Sequence, residues 1–193
     1  MQEIYQPEED SYLFSSILKK IIPKILQNKK DMTFLEVGCG SGILIKAAFE
    51  SGILLKNVFA CDINPGAVRK CRKLGFNCVK SDLFSEINGK YDLIVFNPPY
   101  LPEDSKEPKN SRIATTGGKK GGEIINKFFL QAKKHLKNGG EIFLLTSSLT
   151  KGINFKGYSR KIIARKKLFF EEIYILRVIP IKNYHLIHIS LLA

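Results

Sequence analysis

The chain has 193 residues, 44% hydrophobic and 25% charged, with 31 lysines and arginines against 18 acids and a formal charge of +13. That length and composition fit one globular domain rather than a fibrous, disordered or multidomain chain. No apolar run approaches the roughly 18 residues that cross a bilayer, and Met1 is not followed by a charged-then-apolar leader, so neither a membrane span nor a secretory signal is expected.

The charge is uneven. Residues 1–100 carry 13 basic and 11 acidic side chains, and residues 101–193 carry 18 and 7. An anionic partner, either nucleic acid or an acidic protein face, would account for this, and so would a lysine-rich coding bias. Cysteines 39, 61, 71 and 78 have no C-x-x-C spacing, and the histidines (His135, His185, His188) lie far downstream. Buried free thiols are expected, with no metal site and no disulfide.

In chain order, Ile17, Leu18, Ile21, Ile22, Ile25 and Leu26 repeat at helical spacing opposite Lys19, Lys20 and Lys24, and Pro23 predicts a kink or restart. A strand from Thr33 to Val37 runs into Gly38-Cys39-Gly40-Ser41-Gly42. A helix from Ile43 to Glu50 follows, then a strand from Val58 to Cys61 ending at Asp62. Asn64-Pro65 has the chemistry of a helix start, an N-cap followed by a proline at the first helical position. Phe76–Val79 and Tyr91–Phe96 read as the third and fourth strands. A helix after Gly122 presents Ile124, Ile125, Phe128, Phe129, Ala132 and Leu136, and Asn138-Gly139-Gly140 is its expected stop. Ile142–Leu145 is a fifth strand. After a basic stretch, Leu168–Ile179 and Tyr184–Leu192 are expected to pair across Pro180–Asn183 as a terminal antiparallel hairpin. Alternating strands and helices predict a doubly wound α/β fold with a mostly parallel seven-stranded sheet.

Four places carry chemistry. Glu36-Val37-Gly38-Cys39-Gly40-Ser41-Gly42 ends the first strand, where glycines let the backbone approach a ligand at the carboxyl edge of the sheet. Its G-x-G-x-G spacing is not that of dinucleotide folds, and no P-loop is present. Glu36 suits a cationic or amine-bearing ligand. Asp62 can accept from two ribose hydroxyls or cap the next helix. Asp82, in Ser81-Asp82-Leu83, can accept from an adenine amino group or merely form a turn. Asn97-Pro98-Pro99-Tyr100 follows the fourth strand. Its prolines withhold amide donors, leaving acceptors beside an aromatic ring, an arrangement suited to a planar NH2 group.

Together these residues resemble the class I S-adenosylmethionine-dependent methyltransferases that act on exocyclic or amide nitrogens. Tyr5-Gln-Pro-Glu-Glu-Asp-Ser-Tyr-Leu-Phe14 and Gly117-Gly118-Lys-Lys-Gly121-Gly122-Glu123 are similar to segments of the archaeal and eukaryotic HemK-like branch. That branch methylates the glutamine of the Gly-Gly-Gln motif in class I release factors. The resemblance runs from Tyr5 to about Thr146. It implies a Rossmann-like methyltransferase core over 32–193 behind an N-terminal helical lid over 1–31, with S-adenosylmethionine as cofactor and a cytoplasmic location. By position, Ser11 would reach the methionine end of the cofactor, Glu36 and Gly38 would line its pocket near the amino group, and Gly40 would also bind the cofactor. Asp62 would take the ribose and Asp82 the adenine. Asn97, Pro98, Pro99 and Tyr100 would hold the acceptor amide, with Asn97, Pro98 and Tyr100 catalytic and Asn97 also near the cofactor. Thr115-Thr116 departs from the aromatic-small pair common in the family. The branch also works with a small zinc-binding activator subunit, for which the third strand offers a docking edge. The alternative substrate is an adenine or guanine in RNA or DNA, flipped onto Tyr100.

Overall fold

Four parallel crossovers and one terminal hairpin build the sheet in the computed structural model, which describes residues 6–105 and 112–181. In chain order the elements are α1 (Glu9–Leu26), β1 (Phe34–Val37), α2 (Ile43–Glu50), β2 (Val58–Asp62), α3 (Pro65–Lys73), β3 (Asn77–Lys80) and β4 (Tyr91–Phe96). Then follow α4 (Arg112–Thr115), α5 (Glu123–Ala132), β5 (Leu136–Ser147), β6 (Tyr158–Lys167) and β7 (Glu172–Pro180). The seven strands lie in the order β3-β2-β1-β4-β5-β7-β6. β1 to β5 are parallel, and β7 is antiparallel to both β5 and β6. The expected fold class is therefore observed.

Strand alternation sorts the core into two layers. Phe34, Leu93, Val95, Phe143 and Leu145 pack with α1, α2 and α3 on one face. Leu35, Val37, Ile94, Phe96, Ile142 and Leu144 pack with Ile125, Phe128 and Phe129 of α5 on the other. Every residue of β1 and β4 is buried, as expected of parallel strands covered on both faces. The sheet order reverses between β1 and β4, which opens a crevice at their carboxyl ends.

Local expectations are corrected at several points. The hairpin pairs β6 with β7, so the basic stretch itself supplies a strand; Tyr184–Leu192 lies outside the described residues. The charge run conceals the strand because β6 is the outermost of the described strands, and exposed lysines and arginines suit a sheet edge. The helix after Gly122 stops at Ala132, and Leu136 already belongs to β5, opposite Tyr91. The ladder then jumps to Glu141 opposite Leu93, so Asn138-Gly139-Gly140 forms a bulge, with Gly139 at φ +76°, instead of a helix stop. Pro23 neither breaks nor restarts α1, which continues to Leu26 with Pro23 on its exposed side. β3 begins one residue later than expected and does form an edge. The Asn64 cap is observed as expected, its Oδ1 accepting from the Gly66 amide at 2.8 Å.

One buried carboxylate ties three connections together. Asp92 accepts from the Thr33 amide and hydroxyl, each at 2.8 Å, and pairs with Lys137 at 3.0 Å and Lys29 at 2.5 Å. Burial alone would raise this carboxyl, but hydrogen bonds from Lys29, Thr33 and Lys137 outweigh it and hold it well below the ordinary carboxylate range. A depressed folded-state pKa stabilises the fold above the unfolded value of about 3.9, and that contribution fades as pH falls toward the folded value. Asp92→Asn is therefore expected to lose about 1–3 kcal/mol at pH 7 in urea unfolding. The gap to the parent should narrow below about pH 4, and a difference independent of pH would disprove this linkage.

Candidate active site

The carboxyl ends of β1, β2 and β4 open onto a cavity of about 510 Å3, a size that suits a small-molecule ligand. Glu36, Gly38, Asp62, Asp82, Asn97, Pro98, Pro99, Tyr100 and Ser11 all line it. Residues spread over 90 positions of sequence thus meet in one place because four crossovers return to the same sheet edge. Gly40 contributes through the loop itself, not as a wall residue.

The glycine loop is built by its neighbours. The Gly38 and Cys39 amides donate to the Cys61 carbonyl at 2.8 and 3.1 Å, fastening the end of β1 to β2. Gly38 at φ +70° and Gly40 at φ +46° occupy left-handed backbone that side chains disfavour, and no atom lies within 4 Å of where a Gly40 Cβ would sit. That open space is where a ligand can approach the backbone. Asp62 fixes the loop from below, its Oδ2 accepting from the Gly40 amide and its Oδ1 from the Asn64 amide, each at 2.8 Å. Each carboxylate oxygen can accept a second hydrogen bond, so both remain competent toward a pair of hydroxyls. Asp62 therefore serves as loop tie and candidate ligand contact at once. Burial raises its carboxyl, against the two amide bonds.

Glu36 is buried, and its Oε2 accepts from the Ile45 amide in the first turn of α2 at 2.7 Å. Burial pushes this carboxyl well up, with the Ile45 bond opposing. A cation placed beside it would favour its ionised form. Among the described residues the wall carries Glu8, Asp10, Glu36, Asp62, Asp82 and Glu171 against the ammonium of Lys127. In a chain of charge +13, this cavity is acidic and suits a positively charged ligand. Asp82 is exposed at the rim, next to Leu83, whose φ of 51° is unusual for a leucine.

The end of β4 supplies the opposite wall. Asn97 donates from Nδ2 to Asp10 Oδ2 at 3.2 Å and to Ser11 Oγ at 3.4 Å, both in the first turn of α1. Only an NH2 can face the Asp10 carboxylate favourably, so this contact sets the orientation of the amide. Asn97 Oδ1 is left buried with no hydrogen-bond partner. An unsatisfied buried acceptor is costly, and here it is held among residues that line a cavity. Ser11 accordingly holds Asn97 as well as lining the cavity.

Tyr100 is half-buried. Burial, then the nearby carboxylates of Asp10, Glu171 and Glu8, push its hydroxyl well above the ordinary phenol range, so it stays protonated. Its carbonyl accepts from Thr150 Oγ1 at 2.9 Å. The double-glycine segment braces the same loop. A Cβ on Gly117 would stand 2.6 Å from the Pro99 carbonyl oxygen, and one on Gly121 would stand 2.4 Å from that of Tyr100. These glycines let backbone pack on backbone behind Asn97-Pro98-Pro99-Tyr100. Leu101, Thr115 and Thr116 also reach the cavity, so the departure at Thr115-Thr116 falls in its wall.

Sequence reasoning missed Asp10, although it adjoins Ser11 in the opening motif, because its role depends on Asn97, 87 positions away. It also missed Glu171, which no local pattern announces. Cys39, Cys71 and Cys78 converge with their sulfurs within 4.8 Å, and those of Cys39 and Cys78 are 3.6 Å apart. They come from the glycine loop, α3 and β3, so spacing could not reveal the grouping. All three are buried in the apolar layer under α2 and α3.

Residues 17–155 match the family described as the Methyltransferase small domain. The chain is 36% identical, over 90% of each sequence, to MJ0928 of Methanocaldococcus jannaschii, named as a candidate protein N5-glutamine methyltransferase. It is 31% identical to Methyltransferase HEMK2 of Mus musculus, over 75% of this chain and 72% of the mouse protein. A solved structure of the E. cuniculi Mtq2-Trm112 complex, described as methylating the translation termination factor eRF1, superposes with a TM-score of 0.68 at 26% identity. The match covers 94% of this chain and all of that one. An amide-orienting loop beside an acidic cavity on this sheet, together with these matches, places the chain in the methyltransferase small domain family, as a methyltransferase of its HemK-like, protein-glutamine branch.

Proposed function

We propose that the chain transfers a methyl group from S-adenosylmethionine to the side-chain amide nitrogen of a protein glutamine, the Gly-Gly-Gln glutamine of a class I release factor. The observation that carries this reading is Asn97. Its NH2 is tied to Asp10 and Ser11 while its buried Oδ1 has no partner, so it can serve an incoming NH2 only as an acceptor.

The residues present fit the cofactor. Glu36 and the other wall carboxylates complement its ammonium and sulfonium charges, Asp62 has accepting capacity for its ribose hydroxyls, and Asp82 at the rim can accept from an adenine amino group. When bound, S-adenosylmethionine supplies an electrophilic methyl group, so little acid or base chemistry is asked of the protein. An amide nitrogen is a poor nucleophile because its lone pair is delocalised. Asn97 Oδ1 accepts one hydrogen of the acceptor NH2 and the Pro98 carbonyl accepts the other. This holds the nitrogen in line for displacement and favours the charge that develops on it; transfer would break the sulfonium S–CH3 bond to leave a neutral thioether, and the nitrogen would release one proton to water. The Tyr100 ring bounds the slot for the planar amide. The adjacent prolines donate no hydrogen bonds that would compete for these acceptors.

Asp62→Ala removes both the ribose acceptor and the tie on Gly40. S-adenosylmethionine affinity measured by calorimetry is expected to fall about 10–100-fold, equivalent to about 1.4–2.7 kcal/mol. An unchanged Kd would remove Asp62 from the cofactor site. The reaction itself is tested with labelled cofactor and two purified acceptors, release factor and RNA. Label in the factor that disappears on changing the glutamine of its Gly-Gly-Gln motif supports the reading. Label in RNA alone overturns it in favour of a base amino methyltransferase.

For a partner we propose a small zinc-binding activator subunit on the outer edge of β3. That strand ends the sheet, and the exposed Leu74 precedes it by three residues. An edge strand with an apolar neighbour supports pairing or packing by another chain. Among the described residues no helix is long and apolar enough to cross a membrane, and we place the reaction in the cytoplasm, where release factors act.

A further inference from the structure

The turn between β6 and β7 carries a feature that catalysis does not use. Phe169 and Phe170 are 92% and 85% exposed, the two most exposed large apolar side chains among the described residues. Their rings touch only edge to face, with centroids 4.6 Å apart and planes at 85°. Scattered exposed apolar residues need no explanation, but two adjacent phenylalanines projecting together from a tight turn do. The turn is built firmly. The Leu168 amide donates to the Glu171 carbonyl at 2.8 Å, and Glu172 exchanges hydrogen bonds with Ser148 at the end of β5.

The next residue connects this tip to the chemistry, since Glu171 lines the cavity and its carboxylate acts on Tyr100. The aromatic tip therefore lies one residue from a side chain that lines the cavity. Along β6, the exposed Arg160, Lys161, Arg165, Lys166 and Lys167 continue away from the tip. Lys166 pairs with Glu9 and Arg165 approaches Glu172 at 3.8 Å, while Lys161 and Lys167 form no ion pair among the described residues.

We propose that Phe169 and Phe170, flanked by the basic strand β6, form the docking surface for the body of the protein substrate. The occupant is an acidic protein face with an apolar centre, lying beside the segment that carries the acceptor glutamine. The proposal rests on the glutamine reading above. Charge complementarity selects the sign of the partner, and the aromatic pair supplies the kind of central anchor that dominates protein interfaces. RNA fits less well. Successive bases stack on parallel open faces, whereas each ring here lies across the other.

The test is the double variant Phe169→Ser/Phe170→Ser, assayed alone and with the activator subunit. Both rings are exposed, so the melting temperature should stay within a few degrees of the parent. With full-length release factor, KM is expected to rise about 10–30-fold with kcat within about two-fold. Cofactor affinity should not change. Lys161→Glu/Lys167→Glu should raise KM in a salt-dependent manner. An unchanged KM, or a loss confined to kcat, overturns the docking surface, as does a variant that loses RNA binding but keeps its KM for the factor. If the parent enzyme itself methylates no release factor, the glutamine reading fails, and the docking proposal fails with it.

Discussion

Asn97→Ala is expected to lower kcat for methyl transfer by at least about 100-fold while S-adenosylmethionine affinity stays within about two-fold. The split follows from the hydrogen bonds around Asn97. Its NH2 is committed to Asp10 and Ser11, and its buried Oδ1 has no partner, which is the acceptor the proposed reaction needs. Asp62 and Glu36 act from β2 and β1 and are untouched by the change. Asn97→Asp should fare no better, because it sets a second carboxylate against Asp10 and restores the acceptor only with repulsion beside it. The check is single-turnover kinetics alongside calorimetric cofactor binding. Transfer at the parent rate by the alanine variant would sink the acceptor role, and an equal loss of cofactor affinity would reassign Asn97 to cofactor binding.

Gly117→Ala is expected to be nearly as severe, through shape alone. The new methyl would stand 2.2 Å from the Gly121 carbonyl oxygen and 2.6 Å from that of Pro99. Both obstacles are backbone, so no side-chain rotation relieves the clash, and the loop behind Asn97 has to move. Because a displacement of about 1 Å in a reacting group can reduce turnover by about 100-fold, turnover is expected to fall on that scale with cofactor affinity largely kept. The melting temperature should fall as well, as for other overpacked positions. Gly75→Ala is the useful contrast. It occupies left-handed backbone at φ +89° with no atom within 4 Å of the added group, so it should lose about 1 kcal/mol of stability while keeping its kinetics. If both variants behave alike, the bracing role of the double-glycine segment is wrong.

Much of this arrangement could be read from sequence because its signals are local. Asn64-Pro65 specifies its own helix start. The apolar run Tyr91–Phe96 is what a doubly covered parallel strand requires, and Asn97-Pro98-Pro99-Tyr100 carries acceptors and withheld donors within four residues. The misreadings arose where tertiary context overrides local pattern. Basic β6 looks like a solvated charge run because only its position at the sheet edge makes a strand of it. Asn138-Gly139-Gly140 has the composition of a helix stop, and only the pairing of Leu136 with Tyr91 turns it into a bulge. Asp10 and Glu171 were not found because each takes its role from a partner far along the chain. The charge imbalance also changed in meaning. The near-neutral first half holds most of the cavity's carboxylates, and β6 alone carries five of the 18 basic residues of the second half.

The bond between Asn97 and the first turn of α1 has a consequence for how the enzyme comes into being. The two partners are separated by 87 positions, and contacts that long in sequence form late because they must first overcome the entropy of closing the loop. On a growing chain α1 emerges early and can pack on α2 through Phe14, Leu18 and Ile22, but its first turn meets Asn97 only once β4 has paired with β1. The crevice at the carboxyl ends of β1 and β4 can therefore take shape before the Asn97 amide is fixed. Fraying of that turn, whose helix start has no side-chain cap, would disarm the site reversibly while leaving the sheet intact.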